Sequence, residues 1–233
     1  MLATIPGSTQ LRIARPEDAI IITFSTHGFT RSNNPREELE MGGQAGEFYL
    51  VPSDIGNNQG GRVLDRCISA NQLSDWLSRI DALEMVMITD ACQSAGAAGM
   101  NFKPAPLGNR GLGQLAYNKR MRILAASQVS QNAEELRQIG HGLLSGTLLH
   151  GLESFEADRE PSDGRITLGE WLRYGEQMVP EVRRQMSAGT FSFASQKRNA
   201  VLLGGNVAPK LQQPVLFDFS RGTDGIVIRT AKE

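Results

Sequence analysis

Met85-Val86-Met87-Ile88-Thr89-Asp90-Ala91-Cys92-Gln93-Ser94 is an apolar run that ends abruptly on an acid and then a cysteine. Buried parallel strands read as short apolar runs, and open α/β sheets carry their chemistry at the carboxyl ends of such strands. Cys92 is therefore a candidate nucleophile. A second stretch has the same construction: Ala19-Ile20-Ile21-Ile22-Thr23-Phe24-Ser25 is rich in β-branched residues and delivers Thr26-His27-Gly28 at its end. Two strands thus present a thiol and an imidazole.

Working outward, Phe48 to Val51 reads as a short strand stopped by Pro52, with Asp54 as a turn former. Ser69 to Ile80 has helical spacing of Leu73, Trp76, Leu77 and Ile80, with Ser69 as N-cap. Ala95 to Gly113, rich in Gly, Ala, Pro and Asn, reads as a long surface loop. A strand is expected over Met121 to Ala126 and a helix over Gly142 to Phe155. A second helix is expected over Ile166 to Met186, opened by the Thr167/Glu170 capping box and kinked or divided at Pro180. Ala200 to Leu203 is the last run expected in the main sheet, while Val215 to Phe219 and Ile226 to Ile228 alternate like a peripheral hairpin. Strands alternating with helices give a mainly parallel α/β sheet.

The chain has 233 residues, 40% of them hydrophobic, which suits one globular domain. Its 24 basic and 25 acidic side chains leave a formal charge of −1 with no block of either sign, so nothing points to nucleic acid or a membrane surface. The two cysteines, Cys67 and Cys92, exclude a disulfide scaffold and fit a reducing compartment. No apolar stretch has the length of a membrane span and no secretory leader is legible, so the expected location is the cytoplasm.

A thiolate that attacks a carbonyl needs a base, and a neighbouring imidazole suits neutral pH. The resulting oxyanion needs donors. Gly28, lacking a side chain, lets its N–H approach a substrate, and the Cys92 N–H is the second donor. Cys67, in a polar turn without a partner motif, is assigned no function. His141, also followed by glycine, is the rival base, but its place at a helix start favours a structural role. The run Asp158, Glu160, Ser162, Asp163, Gly164 has its glycine one place too late for a calcium-binding helix-loop-helix pattern and is read as a turn.

Ser25-Thr26-His27-Gly28 and Asp90-Ala91-Cys92-Gln93-Ser94 resemble the two catalytic motifs of the caspase-like cysteine peptidases, and within them the bacterial metacaspase-like branch. Tyr49-Leu50-Val51-Pro52-Ser53-Asp54, Ala125-Ala126-Ser127 with Ala133-Glu134, and His141-Gly142 are similar to further family segments in the same order. The resemblance covers roughly residues 11–205. It implies a three-layer α/β/α sandwich over residues 1–206, and residues 207–233 are read beside it as a C-terminal extension whose hairpin packs on or beside that domain. It also implies a cysteine endopeptidase with His27 and Cys92 catalytic, Gly28 and Cys92 as oxyanion donors, and Asp90 and Ser127 binding substrate. Asp90 would pair with an Arg or Lys before the cut. No cofactor or metal is required, although some metacaspases are calcium-activated, and the partner is a protein or peptide substrate.

Family members carry further strands before the histidine strand, so an upstream segment or a partner chain is expected to complete the sheet. The segment Ala95 to Lys119, with Lys103, Arg110 and Lys119, is the expected self-cleavage linker. The alternative is a degenerate site kept as an interaction scaffold.

Overall fold

The computed structural model describes residues 14–31, 47–55, 64–91, 112–126, 135–136, 141–191 and 212–231. Among the described residues the central sheet has four strands in the order β1 (Ala19–Ser25), β5 (Glu84–Asp90), β6 (Arg122–Ala125) and β10 (Val215–Asp218). β1, β5 and β6 are mutually parallel, and β10 closes the far edge antiparallel to β6. The β-branched and apolar runs read from the sequence are these strands.

Every residue of β5 after Glu84 is buried, because helices cover both of its faces. On one face Val86 and Ile88 pack with α3 (Leu143–Glu153) and α4 (Leu168–Ser187). On the other, Met85 and Met87 pack with α1 (Ala70–Ser78) and α2 (Leu112–Lys119). The architecture is mixed α/β with a mainly parallel central sheet. Ser69 caps α1 in a capping box with Gln72, and Thr167 caps α4 in the same way with Glu170.

Beside the main sheet lies a smaller antiparallel one, ordered β2 (His27–Arg31), β3 (Glu47–Val51) and β4 (Ile68–Ser69). Two short pairs complete the described structure: β7 (Glu135–Leu136) with β8 (His141–Gly142), and β9 (Arg165–Thr167) with β11 (Val227–Thr230). Among the described residues no helix is long and apolar enough to cross a membrane.

Several expectations need correction. The two C-terminal strands do not pair with each other as the expected hairpin: β10 pairs with β6 inside the main sheet and β11 pairs with β9. The reason is packing, since Leu216, Phe217 and Phe219 lie against the two core clusters. The segment expected as loop up to Lys119 ends in a helix, where Leu112 and Ala116 are buried and the Lys119 ammonium donates to the Ile80 carbonyl. Ile166 belongs to β9 rather than to the helix that follows. Pro180 does not divide α4, which runs on with Val179, Val182 and Met186 held in the core. The run Ala200 to Leu203 lies outside the described residues.

Candidate active site

The ladder between β1 and β5 runs in strict register from Ala19↔Glu84 to Ser25↔Asp90. It continues one step further, because the Thr26 N–H donates to the Asp90 carbonyl at 3.3 Å. The two strand tips therefore end level. At Thr26 the chain turns out of the main sheet, and its hydroxyl donates to the Val51 carbonyl, tying the bend to β3. β2 then starts on His27 opposite Val51, with Gly28 opposite Leu50. His27 is exposed at this tip.

Asp90 is buried, only 5% exposed, and projects on the same face of β5 as Val86 and Ile88. Its Oδ2 accepts from the Ser145 N–H at 2.9 Å and from the Ser145 hydroxyl at 2.7 Å. This arrangement answers a need of α3. The N-cap of that helix is Gly142, which has no side chain with which to satisfy the free N–H groups of the first turn. A carboxylate from a neighbouring strand does so instead, at the end of the helix where negative charge is favoured. The fit is tight enough to require glycine, since a Cβ at 142 would stand 2.2 Å from Oδ2 and 2.5 Å from Cγ of Asp90.

Ser145 and Gly142 are thus site residues that the sequence reading did not assign. The available signal was an apolar helix opened by glycine, with no capping side chain of its own. His141 is drawn in as well. Gly142 touches Asp90, and the β7–β8 register sets Glu135 opposite Gly142 and Leu136 opposite His141. The backbone of the second His-Gly segment, at Gly142, therefore also comes to the tip of β5.

Ala91 is buried, and Cys92 follows it in the chain. Cys92 and Ser127 themselves lie outside the described residues. Cys67 is 4% exposed, and burial pushes its thiol pKa up, away from the thiolate a nucleophile needs. Asp54 sits in the turn closed by the Ile55 N–H on the Pro52 carbonyl. Asp158 closes the acidic turn by accepting from the N–H groups of Asp163 and Gly164 at 3.0 and 2.8 Å. Among the described residues no three His, Cys, Asp or Glu side chains are grouped to hold a metal. A scan against models of known protein families finds no match, and a search of curated proteins finds none either.

Proposed function

We propose that this chain is a cysteine endopeptidase of the caspase-like, metacaspase-like kind, with Cys92 as nucleophile and His27 as general base and acid. The observation that carries the reading is the level pairing of Ser25 with Asp90, extended by the Thr26 to Asp90 bond. His27 and Cys92 each follow that pair by two residues in the chain, and the two paired strands they follow run about 4.8 Å apart. An imidazole and a thiol delivered from such tips have the constellation that acyl transfer requires.

In this mechanism His27 takes the thiol proton and the Cys92 sulfur attacks the substrate carbonyl carbon. The N–H groups of Gly28 and Cys92 bind the oxyanion. The carbon–nitrogen bond then breaks as His27 passes its proton to the departing amine. Water, deprotonated by the same imidazole, attacks the thioester and releases the acid, and the proton returns to the thiol. No cofactor enters.

A basic residue before the cut is favoured by the Asp90 charge, two positions before the sulfur. Ser127 follows the end of β6 and is assigned to the wall of the same pocket. The outer edge of β1 supports the expectation of one more strand from an upstream segment or a partner chain. Among the described residues β1 is the last strand of the sheet, and none of its seven residues is buried.

The test is hydrolysis of dye-releasing peptides ending in Arg, Lys or Asp. Release from the basic peptides, absent with Asp and abolished in Cys92→Ala, supports the proposal. Equal turnover by wild type and Cys92→Ala, or none by either, defeats it.

A further inference from the structure

The small sheet has two unlike faces. Strand alternation puts Phe48 and Leu50 on one, where they are 0% and 1% exposed within the core. The other carries His27 and Phe29 from β2 opposite Val51 and Tyr49 from β3. His27 is exposed there, and Phe29, Tyr49 and Val51 are half-buried. The rings of Phe29 and Tyr49 stack with centroids 5.4 Å apart and planes 17° apart. The Tyr49 hydroxyl donates to Glu47 Oε2 at 3.3 Å, and Glu47 Oε1 accepts from the Asn71 N–H at the start of α1 at 3.1 Å. The aromatic pair is thereby anchored to a helix end; Phe29, Tyr49 and Val51 form the apolar part of the face next to His27, and the register sets Arg31 and Glu47 at its far end.

We infer that this face is the subsite for the leaving half of the substrate, and that it selects an apolar, preferably aromatic, side chain at the first or second residue after the cut. The inference rests on the peptidase reading above. The base that activates the thiol also protonates the departing amine, so the chain beyond the cut leaves on the imidazole's side of the site. On that side the strand bearing His27 leads to Phe29, two residues and about 6.6 Å on. That span is the reach of two extended substrate residues. An incoming ring gains offset or edge-on contact with a pre-stacked pair whose ordering is already complete.

The experiment uses quenched fluorescent peptides, identical up to an Arg at the cut and carrying Phe, Gly or Asp at the two positions after it. For wild type, kcat/KM with Phe should exceed that with Gly by about fivefold, within the range a single aromatic contact provides. In Phe29→Ala the ratio should fall to about 1, and in Phe29→Leu it should lie between the two. Cleavage by wild type with no preference between Phe and Gly overturns the inference and leaves the peptidase reading intact. A wild-type preference that persists in Phe29→Ala also overturns it, by assigning selection to another surface. The wild-type ratio decides the matter even if both variants fail to fold, and cleavage of no peptide at all removes the peptidase reading together with this one.

Discussion

Oδ2 of Asp90 accepts both the amide and the hydroxyl of Ser145, which occupies both lone pairs of that oxygen. Under the proposed function, a fork-to-fork pair that uses both oxygens for a substrate guanidinium is disfavoured, and the carboxylate charge carries the basic preference. Arg and Lys peptides should accordingly be cleaved with kcat/KM values within about threefold of each other, whereas a bidentate site would favour Arg more strongly. Measured peptide kinetics showing a large Arg preference would contradict this. Ser145→Ala removes one bond to a buried carboxylate and should lower stability by about 1–3 kcal/mol in urea denaturation. Gly142→Ala should cost about as much by steric pressure on the same group. If neither variant changes the denaturation midpoint, Asp90 does not hold the helix.

Burial, and after it the neighbouring Glu156 that accepts the Tyr174 hydroxyl at 2.9 Å, raises the pKa of that phenol well above its ordinary value. The unfolded chain releases the proton near pH ~10 while the folded chain keeps it, so stability from this group is complete below that pH and falls as pH rises past it. Tyr174→Phe should flatten the stability profile above about pH 10, and an unchanged slope would refute the assignment.

At the scale of elements, β1, β5, α1 and the start of α4 were legible because each combines an apolar period with a local stop or cap: Ser25, Asp90, Ser69 and Thr167. The helix Leu112–Lys119 was not, because it follows a Gly- and Pro-rich stretch and has a weak apolar stripe, its order coming from Leu112 and Ala116 in the core. The pairing of β10 was illegible for a different reason. Alternation marks a strand but does not name its neighbour, and Val215 to Asp218 find β6 rather than the nearer β11. At the candidate site, the strand tips could be read locally, whereas the Asp90–Ser145 contact joins residues 55 positions apart and could not. The helical placement of Lys119 carries its own consequence. Limited trypsin digestion followed by mass spectrometry should leave the bond after Lys119 intact under native conditions, and a cut there would contradict the helix.

Across the sheet, the proposed catalytic tips and a buried ionic network stand at opposite ends. Arg122, fully buried at the start of β6, donates to Glu84 at 2.6 Å, to Asp218 at 3.4 Å and to the Thr223 carbonyl, joining the starts of β5 and β6 to the end of β10. Removing the guanidinium while its acids remain leaves Glu84 without its partner, so Arg122→Ala should destabilise by about 3–5 kcal/mol. Urea denaturation within 1 kcal/mol of wild type would show that the network is dispensable. At the opposite edge no described strand pairs with the outer side of β1, where Ile21 is 41% exposed on an uncharged strand. Ile21→Lys should reduce concentration-dependent association in light scattering, since a charge on an edge strand blocks strand addition. Unaltered association would show that β1 is not the adhesive edge.

The account depends on a thiol at 92 ionised by the imidazole at 27. The most direct measurement is the pH profile of Cys92 alkylation by iodoacetamide in a Cys67→Ser background, with and without His27→Ala. The parent should react well below the ordinary thiol pKa of about 8.5, and His27→Ala should move the profile up to that value. Coincident profiles in the two proteins would mean that the imidazole does not act on the sulfur, and the peptidase proposal would lose its mechanism.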